Sequence, residues 1–351
     1  MSDPSTRTPH APVETLAVSD PPDVVRLAQA LADFRWVQGA GGNVSEKRDG
    51  VLFVKASGRR LREVGTPGAL SRAPLAVAER AQGGDSEADQ ALFAVTPRPS
   101  MEAYFHALPG RIVAHTHSLG VLLFACSDTP LAALHELVPD VREIAYVEPG
   151  PGLAAAVRAA RSAAARHGDA APPYEAVLLR SHGLVVFADT VEGALEATTK
   201  IDGACARIVG VEGAPDFQAP EGDALRETAE GVFAIDVPPR TRGAEPGRYL
   251  FPDAAVYATE VLLDATAFDG ALEAEIAREA KRPIVLTLAK GERRVVATSR
   301  DALLAAVEVL AAHDWVESVL VPRGRARYLS PEAAASVVAL PAEKYRTSRH
   351  S

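Results

Sequence analysis

Two apolar segments, residues 176–179 and 184–187, are separated by only Arg180-Ser181-His182-Gly183. Each reads as a strand, and four residues cannot carry the crossover that a parallel pair requires, so the two form a hairpin. Any sheet that contains them is at least partly antiparallel, which excludes a pure Rossmann architecture. Strand candidates at 51–54, 112–117 and 144–147 alternate with helical stretches at 102–108, 119–127, 153–166 and 191–209. Ahead of them Pro21-Pro22-Asp23 opens a helix with Val24, Leu27, Leu31 and Phe34 at three-to-four spacing. Alternation of this kind predicts a three-layer α/β/α domain over residues 21–210.

The stretch 211–246 is rich in Gly, Pro and Glu with weak periodicity and reads as a linker. Beyond it, strand candidates at 255–260, 284–288, 294–298 and 317–321 with a helix at 301–313 predict a small α+β unit over 247–351. Residues 1–20 are polar, without the basic start and apolar middle of a signal peptide, and read as a disordered tail. The longest apolar run, 121–126, is far short of the ~20 residues that span a bilayer.

Composition narrows the partner. The 351 residues carry 37 basic against 46 acidic side chains, a net charge of -9, which disfavours a general grip on nucleic acid or anionic membrane. A small molecule remains, and a local basic pocket for one anion is compatible with the balance. Cys126 and Cys205 stand far apart in apolar surroundings, fit no metal-ligand spacing and read as buried, reduced residues of a cytoplasmic protein. The chain has no G-x-G-x-x-G and no G-x-x-x-x-G-K-[ST], so dinucleotide and nucleoside triphosphate sites have no support.

The strongest local feature is His115-Thr116-His117 at the end of a strand candidate, because side chains two apart on a strand point the same way. Two imidazoles on one face are a metal-site candidate or a pair of hydrogen-bonded core residues. His182, at the hairpin turn, offers a third nitrogen donor or a polar turn residue. Glu102, in Pro99-Ser100-Met101-Glu102, offers a carboxylate or an acid that complements a helix start capped by Ser100. Gly41-Gly42-Asn43 is an anion cradle or a turn. Lys47 reads as a surface residue and Lys55 as a strand-edge or anion-contact residue. His106 is a neighbour of the Glu102 turn, and His135, His167 and His313 read as surface residues.

Taken in order, Gly41 to Ser45, Lys55 to Gly58, Pro99 to Glu102, His115 to Ser118 and Ser181 to Gly183 resemble the class II aldolase/adducin family. The resemblance spans about residues 22–210. It implies a three-layer α/β/α class II aldolase-like domain, a homo-oligomer (usually a tetramer), and one divalent metal per subunit, generally zinc, with manganese or cobalt as alternatives. Residue by residue it implies His115, His117, His182 and Glu102 as metal ligands, with Glu102 also the catalytic acid/base. Gly42, Asn43, Ser57, Gly58 and Ser100 match positions that hold a substrate phosphate.

The implied reaction is retro-aldol cleavage of a ketose 1-phosphate through a metal-stabilised enediolate. Epimerisation, dehydration or decarboxylation of a sugar phosphate or sugar acid would use the same centre, and a non-catalytic scaffold like the adducin relatives is the remaining alternative. Met101 stands where compact members have a second Ser, so the implied phosphate site is one hydroxyl short. The thirteen-residue interval from Glu102 to His115, Arg248 to Asp253 and Ala342 to Tyr345 resemble the aldolase portion of bifunctional aldolase/dehydrogenase relatives. Tyr104, Tyr146, Tyr174, Tyr249 and Tyr257 are the candidates for a proton-donating tyrosine.

Overall fold

The computed structural model describes residues 20–164, 173–218, 220 and 224–348. Strands β1 (Asn43–Arg48), β2 (Val51–Lys55), β3 (Leu70–Pro74), β4 (Ile112–Thr116), β5 (Val141–Ile144), β6 (Tyr174–Leu179) and β7 (Gly183–Ala188) form one sheet. Their order is β3-β2-β1-β4-β7-β6-β5, and only the β5/β6 pair is parallel. The hairpin expected from the four-residue connection is β6/β7, with Leu179 opposite Gly183.

Helices α1 (Pro22–Ala30), α5 (Leu119–Ala125), α6 (Leu131–His135) and α8 (Val191–Val209) cover one face of this sheet, and α2 (Leu75–Gln82), α3 (Ser86–Ala94), α4 (Ala103–His106) and α7 (Pro151–Ala164) cover the other. Strand alternation sorts the side chains between the two layers. Ile112 and Ala114 join Val44, Phe53, Leu178 and Val186 beneath α8, whereas Val113 joins Leu52, Val54, Val177 and Val185 on the α4 side. His115, two residues after Val113, therefore faces α4. Its ring stands edge-on to Phe105 with centroids 5.4 Å apart.

The second sheet comprises β8 (Arg226–Ala229), β9 (Val232–Val237), β10 (Glu260–Leu263), β11 (Ile284–Leu288) and β12 (Arg293–Ala297), in the order β10-β11-β12-β9-β8. Five helices accompany it: α9 (Pro252–Tyr257), α10 (Gly270–Ala280), α11 (Arg300–Leu320), α12 (Pro331–Ala339) and α13 (Pro341–Ser348). α10 packs Ala274 and Ala277 on one face. The other face, through Ile235, Val285, Val295 and Ala297, enters a core shared with α9, α11 and Leu119, Leu122 and Leu123 of α5. A buried ion pair, Arg60 to Glu308 at 2.6 Å, joins the units, and Glu308 also accepts from the Gly39 N–H at 2.8 Å. Each buried aliphatic side chain in this junction contributes about 1.5–3 kcal/mol, so the seam is strong.

Several expectations need correction. The stretch 211–246 contains β8 and β9, so it is not wholly a linker. Residues 255–260 were expected as a strand, yet 255–257 finish α9, which starts at Pro252, whose fixed φ suits a first helical turn, and only Glu260 enters a strand, as the first residue of β10. Residues 317–321 were also expected as a strand, yet they lie at and just past the end of α11, a 21-residue helix capped by the Ser299 side chain. His313 is buried rather than superficial, with Nε2 accepting from the Leu250 N–H at 3.2 Å. The tail expected at 1–20 and His167 lie outside the described residues, Asp20 excepted. Cys126 and Cys205 are buried and unpaired, as expected. Among the described residues, no helix is long and apolar enough to cross a membrane.

Candidate metal centre

β4 delivers two of the side chains. His115 lies in the strand, and His117, just beyond its end, keeps the two-residue repeat while its N–H donates to the Trp36 carbonyl at 3.0 Å. The β6/β7 turn delivers the third: Ser181 takes the left-handed region with φ 50°, and His182 is buried. Gly183 makes this approach possible. A Cβ there would overlap the Thr116 carbonyl oxygen and stand 2.9 Å from His117 Cδ2. The three imidazole centroids meet at 4.8 to 5.2 Å.

Proton accounting fixes which nitrogens face one another. His115 Nδ1 lies 3.0 Å from the Leu184 carbonyl oxygen, which only accepts, so Nδ1 carries the proton and Nε2 presents a lone pair. His117 Nδ1 lies 2.9 Å from Asp253 Oδ2, a carboxylate, and the same reasoning leaves its Nε2 bare. These two Nε2 atoms are 3.0 Å apart. Glu102 Oε1 sits 3.3 Å from His182 Nε2 and 3.5 Å from His115 Nε2, buried and with no hydrogen bond satisfied among the described residues.

Converging lone pairs on His115, His117 and Glu102 repel unless a cation lies between them. The spacings are close to the ~3.4 Å edge of a tetrahedron with ~2.1 Å bonds. The three histidines fit a divalent metal of the zinc type, with His115, His117 and His182 as the residues that would hold it and Glu102 Oε1, beside two of them, as the fourth.

The charge states agree. Burial lowers the His115 imidazole to about 3, so at neutral pH it is the neutral ligand form. Burial acts to raise the Glu102 carboxyl, but the neighbouring histidines, His115 foremost, outweigh it and hold it well below the ordinary carboxylate range. A second cluster, His313, Asp314 and Glu317, lacks this character: Arg240 donates to Glu317 and Arg293 to Asp314, so guanidinium groups already supply the positive charge.

A buried chain of polar contacts holds Glu102. Ser45 Oγ donates to His106 Nδ1 at 2.7 Å, His106 Nε2 donates to Asn43 Oδ1, and Asn43 Nδ2 donates to Glu102 Oε2 at 2.7 Å and to Ser100 Oγ at 3.3 Å. One carboxylate oxygen is thereby anchored while the other faces the histidines.

Burial keeps the His106 pKa well below 6.5. The unfolded chain therefore binds the extra proton first, and His106 costs stability as pH falls through 6.5, by up to about 1.4 kcal/mol per pH unit. In chelator-treated protein, His106→Gln should remove that share. The urea midpoint should fall less between pH 7.5 and 5.5 in the variant than in the wild type, and an equal fall would refute the assignment.

Gly42, Asn43, Ser57, Gly58 and Ser100 all line a cavity beside Glu102, His117 and His182. Lys55 reaches it from β2, donating to the carbonyls of Ala40 at 2.9 Å and Arg59 at 2.6 Å, and burial lowers its ammonium to about 8. Asp253 of α9 and Glu343 and Arg346 of α13 form the opposite wall. The free space is only about 20 Å³, room for about one water. Burial raises the Glu343 carboxyl to about 7. Two cationic and three carboxylate side chains line the cavity, and a divalent ion would turn this negative balance positive.

The family model "Class II Aldolase and Adducin N-terminal domain" matches residues 22–209. This chain belongs to the class II aldolase/adducin family. Among solved structures it is similar to the N-terminal class II aldolase domain of a conserved protein from Thermoplasma acidophilum, with 27% identity over 54% of this chain and 94% of that one, TM-score 0.44. It is also similar to an L-fuculose-1-phosphate aldolase from Thermus thermophilus, with 19% identity over 53% of this chain and 92% of that one, TM-score 0.35. No curated protein matches.

The family model ends at 209, whereas Asp253, Glu343 and Arg346 come from the second unit. No spacing rule marks them, because they reach the site from 136 and more residues beyond His117. The segments Arg248 to Asp253 and Ala342 to Tyr345 did carry a signal: they contain Asp253 and Glu343, and Arg346 follows directly.

Proposed function

We propose that the chain is a divalent-metal-dependent carbon–carbon lyase that cleaves a ketose, most readily a ketose 1-phosphate, by a retro-aldol reaction. The observation that carries this reading is the convergence of three buried imidazoles and one buried carboxylate oxygen, with the Nε2 atoms of His115 and His117 facing each other at 3.0 Å. A divalent ion bound there supplies Lewis acidity toward a carbonyl and an adjacent hydroxyl, and stabilises the negative charge that develops as the carbon–carbon bond breaks.

The protein side of the reaction falls to few residues. Glu102, held through Oε2 by Asn43, is placed to receive the hydroxyl proton at Oε1. The bond between the carbinol carbon and the carbon next to the ketone then breaks, the carbinol carbon leaves as an aldehyde, and the proton returns to the carbon left behind, giving a three-carbon ketone. Gly42, Ser57, Gly58 and Ser100 would receive the phosphate, with Lys55 and Arg346 adding positive charge at the wall. The family resemblance also supports a homo-oligomer, tetramer foremost.

The test is a panel of ketose 1-phosphates and free ketoses incubated with zinc-, manganese- or cobalt-loaded protein and followed by NMR. Aldehyde and a three-carbon ketone in equal amounts are expected. An isomer of unchanged mass, loss of water or release of carbon dioxide would replace the lyase by an epimerase, dehydratase or decarboxylase. Protein that takes up no metal would leave the scaffold reading.

A further inference from the structure

Resting on that reading of the metal centre, we infer that Asp253 and Arg346, both outside the family domain, are positioning residues that set the metal-binding tautomer of His117. Asp253 opens α9 behind Pro252 and is buried. Its two oxygens have different neighbours. Oδ2 stands 2.9 Å from His117 Nδ1, somewhat off the ideal hydrogen-bond line, and Oδ1 accepts from Arg346 Nη2 at 2.6 Å. Arg346 Nε is 2.7 Å from Glu343 Oε2, and its guanidinium lies over the Tyr257 ring at 5.1 Å, so the arginine is held from both sides.

The chain makes room for this contact. A Cβ on Gly41 would overlap Asp253 Oδ2 and stand 3.0 Å from His117 Nδ1. The loop that precedes β1 therefore passes the carboxylate–imidazole pair at a distance only glycine allows.

A carboxylate opposite Nδ1 keeps the proton there and leaves Nε2 free for a metal. Such outer partners typically govern metal affinity by 10- to 100-fold. Arg346 acts one step removed: by occupying Oδ1 it fixes the carboxylate rotamer that presents Oδ2 to the imidazole. Asn at 253 exposes this logic. With its oxygen held by Arg346, the amide NH2 faces His117 Nδ1 and demands the opposite tautomer, with the proton on Nε2, which cannot bind metal. Removing the arginine frees the amide to turn its oxygen to His117.

The experiment measures Co2+ and Zn2+ affinity by competition with a chromophoric chelator, together with the visible spectrum of the Co2+ form. Wild type, Asp253→Asn, Arg346→Met and the double variant are compared, with His117→Ala as the floor. Asp253→Asn is expected to weaken binding 10- to 100-fold, Arg346→Met three- to tenfold, and the double variant to bind at least threefold more tightly than Asp253→Asn. Wild-type affinity and spectrum in Asp253→Asn would overturn the assignment, as would a double variant no better than Asp253→Asn.

If Asp253→Asn does not fold, Arg346→Met decides alone: unchanged affinity and spectrum would overturn the inference. Wild type that binds neither metal would refute the metal centre itself, whereas wild type binding with equal binding by Asp253→Asn refutes only the role of Asp253.

Discussion

Replacing Glu102 with Gln is expected to lower aldehyde release 10²- to 10⁴-fold while the protein still takes up metal. The amide cannot carry the proton that a carboxylate moves. It also inverts a local polarity, because Asn43 Nδ2 donates to the Oε2 position at 2.7 Å and will hold the amide oxygen there. The NH2 group then points at the three imidazoles, where the carboxylate oxygen was. Three neutral nitrogens remain as ligands, so elemental analysis should still find about one metal per chain, bound more weakly. Activity within tenfold of wild type would remove Glu102 from the acid/base role. Loss of both metal and activity would make it chiefly a ligand.

His182→Ala should act differently. It deletes a ligand and leaves two imidazoles and a carboxylate, a set that can still hold zinc but more weakly than all four donors. Metal content after dialysis against a chelator is expected to fall below that of the wild type, and activity with it. A ligand at a thousandfold its Kd stabilises the folded state by about 4 kcal/mol, so zinc should raise the wild-type melting temperature by several degrees and that of the variant by less. The metal-free melting temperatures should be close, since His182 Nδ1 has no partner to lose among the described residues. A variant that keeps its metal and its zinc-dependent shift would exclude His182 from the centre.

The parts of the site that sequence makes legible are those set by local geometry. His115 and His117 share a face because they are two apart on a strand, and His182 sits at the tip of a hairpin that a four-residue connection enforces. Asp253 and Arg346 could not be found this way. Asp253 meets His117, and Arg346 meets Asp253, only because α9 and α13 fold back over the first unit, a relation carried by packing and not by spacing.

The fold shows the same division. Strands 112–116 and 183–188, with clear apolar runs, were readable. Residues 317–321 and 255–257 were not, because a short, largely apolar run looks alike in strand and helix, and here the long α11 and the Pro252 start decide for helix. β8, with Arg, Glu and Thr along a half-exposed edge, has too little apolar pattern to stand out from its Gly- and Glu-rich surroundings.

The shared core has a consequence for what counts as a unit. Leu119, Leu122 and Leu123 pack with α9 and α11, yet they belong to the same helix layer that covers the first sheet. A family boundary near residue 209 is therefore a boundary of descent and not of energy. Cutting the chain there would strip α5 of its α9 and α11 partners and open an apolar face, besides removing Asp253. The two sheets should melt in one cooperative transition, and a ligand that tightens the histidine cluster should be felt as far away as β10.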